Sequence, residues 1–189
     1  PQELNSNNVF VFFRADDGTH GVEIWISDGT PEGTKMLRDI VPGEGSSAPR
    51  KFTRLSYDMY FVADDGVRGS ELWVANVAGD VQMVKDIYEG PESSNPRDLV
   101  VWNDKLYFRA NDGIHGEELW VSDGPPGEGT HMVKDIVTVP VELSSSSSAL
   151  VPFGSSLFYS QHEGNKGEEL WRYGGGDESP ALFKDIAKK

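Results

Sequence analysis

Residues 23–30 read Glu-Ile-Trp-Ile-Ser-Asp-Gly-Thr, and this segment indicates the fold because the chain repeats it. The central pair Ile24-Trp25 returns as Leu72-Trp73, Leu119-Trp120 and Leu170-Trp171, at spacings of 48, 47 and 51 residues. An aromatic pair precedes each of these tryptophans, at 12–13, 60–61, 107–108 and 158–159. An Asp-Ile pair follows each of them, at 39–40, 86–87, 135–136 and 185–186. Three landmarks in one order, four times over, indicate a repeat architecture.

Each repeat contains four short runs rich in Val, Tyr, Phe and Trp, separated by turn residues. In the third repeat the runs are 98–103, 105–110, 117–122 and 131–136. The turns between them contain Asn, Asp and Gly, which adopt a positive φ at low cost. No stretch between the turns is long or periodic enough for an ordinary helix. A meander of four antiparallel strands per unit is typical of a β-propeller blade.

The repeats therefore predict an all-β, single-domain β-propeller with blades at 1–48, 49–95, 96–146 and 147–189. Within the strands neither face is simply polar, as expected where each blade packs against neighbours on both sides. Linkers such as 41–49 and 137–149 would carry the chain from the outer strand of one blade to the inner strand of the next. Propellers contain about four to eight blades, so the chain forms either a four-bladed ring or part of a larger propeller.

Composition narrows the classes of partner. The 189 residues include 31 acidic and 17 basic ones, for a net charge of −14. We expect no nucleic-acid partner, because nucleic acids are bound through Lys and Arg that neutralise phosphates. No apolar run approaches the ~20 residues of a membrane-spanning helix, so no membrane insertion is expected. The chain has no cysteine, which excludes disulfides, thiolate metal sites and a thiol nucleophile.

Residues 23–30 and 118–124 resemble the ELWxxDGT repeat of bacterial and some algal proteins, which are often large and surface-associated or secreted. The whole unit is similar to that repeat, and its layout is also similar to YWTD and NHL propeller blades. The second repeat departs from the pattern at Asn76-Val77, and the fourth departs at Gly174-Gly175-Gly176. The resemblance implies an extracellular, cell-surface or lumenal location, and it transfers no catalytic residue. We recognise no targeting segment in this sequence.

Acidic residues recur in the second turn of each repeat and at the start of its tryptophan strand. Calcium prefers several oxygen ligands, and the acids of one hairpin could converge on it. The candidate calcium ligands are Asp16, Asp17, Glu23, Asp64, Asp65, Glu71, Asp112 and Glu118. The EF-hand spacing is absent, however, and the fourth repeat has His162-Glu163 instead. The favoured alternative is no cofactor, with each Asp capping its own turn and each Glu paired with a nearby cation.

Two further polar positions have structural interpretations. The last strand of each repeat ends in an aspartate, which we expect to accept hydrogen bonds from backbone N–H groups of the following linker; these residues are Asp39, Asp86, Asp135 and Asp185. His20 and His115 occupy a position that holds Arg68 and Lys166 in the other repeats. This pattern indicates a basic side chain facing acidic neighbours, not a metal ligand.

Aromatic side chains offer candidate ligand sites. The four repeated tryptophans are expected to pack blade against blade. Trp102, on a predicted inner strand, occupies the position of Asn7, Leu55 and Phe153. Trp102, Phe153 and Tyr57 are the candidate ligand-binding residues, because exposed aromatic rings can stack on a sugar or on a partner side chain. For Trp102 the favoured alternative is core packing.

The functional hypothesis is a non-enzymatic module that binds protein, as an accessory part of a larger assembly or as a surface or secreted protein. Catalysis needs one asymmetric set of residues, whereas repetition supplies the same groups in every blade, so no catalytic residue is assigned. The alternatives are a carbohydrate-binding, lectin-like propeller and a calcium-dependent adhesion module. A glycosidase using two carboxylates comes last, since no pair is singled out.

Overall fold

The structure is a computed structural model that describes residues 1–124, 126, 129–136, 149–162 and 167–186. Sixteen strands are assigned in the described chain. They are β1 Gln2–Ser6, β2 Val11–Asp16, β3 Val22–Ser27, β4 Lys35–Arg38, β5 Arg50–Leu55, β6 Asp58–Asp64, β7 Ser70–Ala75, β8 Val81–Lys85, β9 Arg97–Trp102, β10 Lys105–Asn111, β11 Glu117–Ser122, β12 Thr130–Lys134, β13 Val151–Phe153, β14 Ser156–His162, β15 Glu168–Tyr173 and β16 Ala181–Lys184. None of the described residues lies in a helix with the length and hydropathy needed to cross a bilayer.

The strands form four antiparallel sheets, each a meander of four consecutive strands. The predicted all-β fold and its four β-propeller blades are thus confirmed. In the third blade the predicted run 117–122 matches β11, while the predicted run 131–136 ends two residues beyond β12. The linker 137–148 and the boundary placed at 146/147 lie outside the described residues, and the single-domain assignment and the closed ring remain predictions.

The chain divides into two compact units, of which the first spans Pro1–Pro96 and holds the first two blades. One face of the first blade, which we call its forward face, supplies Phe12, Ile24 and Ile40 to a buried cluster. The second blade contributes its opposite face, here called the rear face, with Phe61 and Trp73. The core of this unit therefore lies between two stacked sheets.

The second unit begins at Arg97 and holds the third and fourth blades, which pack in the same way. The forward face of the third blade supplies Leu119 and Ile136 to one cluster, and the rear face of the fourth supplies Leu157, Tyr159 and Trp171. The blade-to-blade packing predicted for Trp73 and Trp171 is confirmed. Side chains on both faces of these strands are buried. This explains why neither face of a strand is simply polar in the sequence.

The inner strands of the first three blades each contain an irregularity at an equivalent residue. Glu3, Lys51 and Asp98 have φ values of 54°, 59° and 56°. The pairing register with the second strand shifts at each of these places. An extra residue of this kind is a β-bulge, which bends a strand and increases its twist. Its recurrence makes the bulge part of the blade design.

Candidate functional site

The glutamate at the second position of a blade's third strand binds the linker that follows the blade. Glu23 is fully buried and accepts hydrogen bonds from the backbone N–H of Ser47 at 2.9 Å and from its hydroxyl at 2.5 Å. The N–H of Ile40 also donates to this carboxylate, at 3.2 Å. Burial raises the pKa of Glu23, against the effect of these hydrogen bonds.

The second blade repeats this arrangement. Glu71 accepts from the N–H of Ser94 at 2.9 Å, from its hydroxyl at 2.5 Å and from the N–H of Ile87 at 3.1 Å. Burial raises the pKa of Glu71 to about 7. In the second unit Glu118 accepts from the N–H of Ile136 at 2.8 Å, and Glu169 accepts from the N–H of Ile186.

In the first two blades the residue before the glutamate also binds the linker. The N–H of Val22 donates to the Ser46 hydroxyl at 2.9 Å, and its carbonyl accepts from the N–H of Ala48 at 3.2 Å. Ser70, Ser93 and Asn95 make the same two bonds in the second blade, at 2.9 and 3.2 Å. The linkers bound this way read Ser-Ser-Ala-Pro and Ser-Ser-Asn-Pro.

The linker passes so close to the blade that only glycine fits beside it. A Cβ on Gly21 would collide with the carbonyl oxygen of Gly45, and one on Gly69 would collide with that of Glu92. Both glycines also have a positive φ. We call these sets the linker clasps; they comprise Gly21, Val22, Glu23 and Ile40 in the first blade, and Gly69, Ser70, Glu71 and Ile87 in the second.

The clasps correct one expectation about carboxylates. Glu23 and Glu71 were expected to pair with cations, and this is wrong, because they bind backbone N–H groups and serine hydroxyls. The final aspartate of each repeat was expected to accept hydrogen bonds from N–H groups of the linker. This is confirmed for Asp39, which accepts from the N–H of Gly43 at 3.1 Å, although Glu23 makes more of the contacts with the same linker.

The turn acids cap their own turns. Asp16 accepts from the N–H of Gly18 at 2.6 Å, and Asp17 accepts from the N–H of Thr19 at 2.8 Å. The second carboxylate oxygen of Asp17 lies 2.7 Å from Nδ1 of His20. The hydrogen bond with His20 is the main reason that the pKa of Asp17 is lowered to about 2, and the same bond raises the pKa of His20.

The next two blades use the same turn. Asp64 accepts from the N–H of Gly66, and Asp65 lies 3.2 Å from Arg68 as an ion pair. In the third blade Asp112 caps the turn and lies 2.6 Å from Nδ1 of His115. A basic side chain facing an acidic neighbour is therefore confirmed for His20 and His115, while Lys166 and Glu163 lie outside the described residues.

The structure does not bring together the carboxylates that the calcium hypothesis needs. Asp16 and Asp17 face their own turn, whereas Glu23 faces the linker. The same holds in the second blade for Asp64, Asp65 and Glu71, and in the third for Asp112 and Glu118. Within the described residues, no group of three or more His, Asp or Glu side chains is arranged to hold a metal ion.

The candidate aromatic residues differ in exposure. Trp102 is only 7% exposed and packs against Tyr107 and Tyr173, at ring-centre distances of 5.4 and 6.0 Å. Its placement among the ligand-binding candidates is therefore corrected to core packing. Tyr57 and Phe153 are 68% and 75% exposed, so both can contact a ligand.

The forward face of the fourth blade carries exposed apolar side chains. The rings of Phe153, Phe158 and Phe183 form a continuous cluster, with centre distances of 6.3 and 5.1 Å. Ile186 is 64% exposed, whereas the equivalent Ile136 of the third blade is 5% exposed. We call Phe153, Phe158, Phe183 and Ile186 the open face. Sequence reasoning singled out Phe153 but missed the rest of the open face, and Ile186 was missed because the Asp-Ile motif is the same in all four repeats.

Two cavities lie within single units. One of about 360 Å³ in the first unit is lined by eight residues, among which Asp16 is the one carboxylate. The other, of about 190 Å³ in the second unit, is lined in part by Arg172, Phe183 and Glu178. Glu178 is the one carboxylate in that lining. Glycoside hydrolysis generally uses two carboxylates about 5–10 Å apart. Neither cavity supplies that pair.

Comparison with known proteins finds likeness among solved structures. No protein-family model and no curated protein matches the chain. TolB from Acinetobacter baumannii is 15% identical, with a TM-score of 0.47, over 86% of this chain and 37% of that one. GH43B of the Bacteroides ovatus xyloglucan PUL is 14% identical, with a TM-score of 0.46, over 95% of this chain and 40% of that one. An α-L-arabinofuranosidase from Clostridium thermocellum ATCC 27405 is 16% identical, with a TM-score of 0.40, over 95% of this chain and 70% of that one. The chain thus spans well under half of the first two structures.

Proposed function

We propose that this chain is a non-enzymatic, acidic β-propeller module that binds a protein partner through the open face of its fourth blade. The observation that carries the proposal is the exposure of Phe183 and Ile186, which are 57% and 64% accessible. Contiguous exposed apolar surface is typical of protein-interaction sites. Two cations, Arg172 and Lys184, are exposed on neighbouring strands, as at the polar rim of an interface.

The chemistry of the partner follows from the other blades. Within each unit, a forward face of this kind is covered by an aromatic rear face, which includes Trp73 in the first unit and Trp171 in the second. A partner that presents aromatic and aliphatic side chains from a sheet would complement the open face in the same way.

The carboxylates support a binding role over a catalytic one. Glu23 and Glu71 are used in linker clasps, and Asp17 and Asp65 are used in turn caps. These carboxylates accept hydrogen bonds from the linkers and the turns of several blades. The repeated acids of the sequence therefore supply no single acid–base pair. A glycosidase of the usual two-carboxylate type would need such a pair in one cavity.

The test uses a charge placed on the open face. Phe183→Glu should abolish capture of the partner from an extract of the producing cells, because a carboxylate cannot be buried unpaired in an apolar interface. Val67→Glu is the matched control, since Val67 is 68% exposed on a turn of the first unit. The captured protein must then bind the pure chain in calorimetry. Equal capture by both variants would overturn the proposal, as would turnover on a hydrolase panel that is lost on changing one carboxylate.

A lectin-like function is the second candidate, favoured by the exposure of Tyr57, in the turn after β5, and of Phe153, the last residue of β13. Exposed rings beside the first hairpin turn of two blades would give more than one weak glycan site, and such multivalency raises avidity. Glycan-array binding that is lost in Tyr57→Ala would support this candidate. An array without signal would remove it.

We also propose that the repeats are of the ELWxxDGT type, on the match of residues 23–30 and 118–124, and that the protein is extracellular or at the cell surface. Both proposals rest on the resemblance of the repeats alone. Detection of the protein in the secreted or surface fraction of intact cells would support the location, and its recovery in the cytosolic fraction would contradict it.

A further inference from the structure

We infer that the first blade binds a sugar acid, a hydroxylated ring that carries a carboxylate, in the cavity of about 360 Å³ beside Arg14. The inference goes beyond the proposed function, because it assigns a small-molecule site in the first unit and uses no residue of the open face. It is drawn from a comparison of the first blade with the third, in which a carboxylate of the protein itself occupies the equivalent place.

A carboxylate between two arginines distinguishes the third blade. Glu117 accepts a hydrogen bond from Arg97 at 2.5 Å and lies 2.6 Å from the guanidinium of Arg109. Both arginines contact the same carboxylate oxygen, Oε1. Hydrogen bonds between a guanidinium and a carboxylate are charge-assisted and roughly twice as strong as neutral ones. A carboxylate at this place in a blade is therefore a well-matched partner for the arginine of the second strand.

The strand pairing identifies the equivalent residues of the first blade. Three positions correspond by register; they are Gln2 for Arg97, Arg14 for Arg109 and Val22 for Glu117. The first blade thus keeps the arginine of the second strand and has an aliphatic side chain in place of the glutamate. Arg14 donates from Nη2 to the side-chain oxygen of Gln2 at 2.6 Å. Gln2, Arg14 and Val22 all line the cavity, which therefore lies where the third blade has its carboxylate.

The next blade also offers Arg14 fewer acceptors than Arg109 has. In the second unit the side-chain oxygen of Gln161 lies 3.0 Å from Arg109, whereas the equivalent residue of the first unit is Ala63. Among the residues that the structure describes, no carboxylate forms an ion pair with Arg14. A guanidinium carries five N–H donors. Arg14 therefore has donors to offer to a ligand in the cavity.

A second arginine adds positive charge near Arg14. Burial lowers the pKa of the Arg50 guanidinium, and the charge of Arg14 acts in the same direction. The carboxylates of Asp64 and Glu3 oppose this effect. Both of these acids accept hydrogen bonds from backbone N–H groups, and neither forms an ion pair with an arginine in the described part of the chain. A ligand carboxylate beside Arg14 would reduce the repulsion between the two guanidinium groups.

The other end of the cavity suits the hydroxyl groups of a sugar ring. Asp16 also lines the cavity and lies two positions from Arg14 on the same face of β2, so their Cα atoms are about 7 Å apart. One carboxylate oxygen of Asp16 accepts from the turn, and the other can accept from a ligand hydroxyl. A pyranose ring with a carboxylate on one side and hydroxyls on the other bridges side chains at this separation. The cavity volume is also within the range of small-molecule sites, about 300–1,000 Å³.

The experiment titrates the whole chain with sodium D-glucuronate and with sodium D-galacturonate in calorimetry, at neutral pH and constant ionic strength. We expect at least one of these sugar acids to bind, and we expect D-glucose, which has no carboxylate, to bind at least ~10-fold more weakly. Arg14→Gln should weaken binding of the sugar acid at least ~10-fold, because it removes a charge-assisted hydrogen bond. Lys35→Gln is the matched control, since it removes one positive charge at an exposed position outside the cavity lining, and it should bind as the wild type does.

A second variant fills the cavity and keeps the arginine, in case Arg14→Gln alters folding. Val22→Glu gives the first blade the carboxylate that the third blade has, and it should abolish binding of the sugar acid because the new side chain pairs with Arg14. No binding of either sugar acid by the wild type, equal binding of glucose, or unchanged binding by Val22→Glu would overturn the inference. Capture of a protein partner depends on Phe183 and not on Arg14, so the proposed function stands or fails separately.

Discussion

Glu71 is fully buried against the linker, and burial raises the pKa of its carboxyl group from 4.5 to about 7. In the unfolded chain the group loses its proton near pH 4.5, while in the folded chain it keeps the proton until about pH 7. The folded state therefore binds more protons between these values. By linkage, the free energy of unfolding falls as the pH rises from about 4.5 to 7, and it is level above that range.

Glu71→Gln should remove this slope, because the amide does not titrate. We expect the difference in unfolding free energy between wild type and variant to change by about 1–3 kcal/mol between pH 5 and 8. Urea unfolding at a series of pH values measures it. Glu178→Gln, on an exposed turn of the fourth blade, is the control, and its unfolding free energy should vary with pH as that of the wild type does. A difference that is constant with pH would show that Glu71 is ionised throughout.

At the scale of residues, the sequence predicted the turns and missed the clasps. Asp17 and His20 are three positions apart, so their contact follows from a local turn pattern. Glu23 and Ser47 are separated by 24 positions, and their contact depends on the path of the linker. A hint was available, because Ser-Ser-X-Pro precedes both the second and third inner strands while a glutamate opens every tryptophan strand.

At the scale of elements, a buried polar network crosses between the third and fourth blades of the second unit. Arg109, only 2% exposed, lies 2.6 Å from the Glu117 carboxylate and 3.0 Å from the side-chain oxygen of Gln161. The Gln161 amide in turn donates to the Glu117 carbonyl at 2.7 Å. In the first unit the position of Gln161 is held by Ala63, within an apolar cluster. This network distinguishes one blade pair from the other.

Arg109→Met should destabilise the protein by about 2–4 kcal/mol, because it removes the buried donor to the Gln161 side-chain oxygen and leaves the Glu117 carboxylate with Arg97. Adding Gln161→Leu should recover much of that loss, since an apolar pair can replace a buried polar one. Urea unfolding of the two single variants and the double variant gives the coupling. Arg172→Met, at an exposed arginine of the same unit, is the control and should change stability little. Strict additivity of the two substitutions would contradict this account.

The elements themselves were predictable because their causes are local. Strand alternation and turn residues located all four strands of the third blade to within two residues. The packing of those elements was less predictable. Trp102 is buried because Tyr173 and Gly175, some seventy positions later, lie against its ring. The exposure of Ile186 likewise depends on what covers the blade, and the motif around it does not encode that.

For the whole molecule the decisive quantity is the net charge of −14. Like charges at this density repel one another and destabilise the compact state, and added salt screens that repulsion. A calcium ion bound at a specific site would act differently, by mass action on the folded state alone. The carboxylates that could bind calcium are engaged in turns and clasps, so screening should be the dominant effect of any cation.

We therefore expect the thermal midpoint to rise with sodium chloride and to be unchanged by millimolar calcium at constant ionic strength. Calcium at a free concentration of a hundred times the dissociation constant of a site would add about 2.7 kcal/mol to the free energy of unfolding. For a chain of this size, that gain would raise the thermal midpoint by roughly 5–10 °C. A shift of that size is easily measured by scanning calorimetry. Magnesium at the same concentration is the control, because it carries the same charge but demands a stricter geometry. A rise with calcium that magnesium does not reproduce would restore the calcium-dependent adhesion hypothesis, and it would require the turn acids to rearrange around the ion.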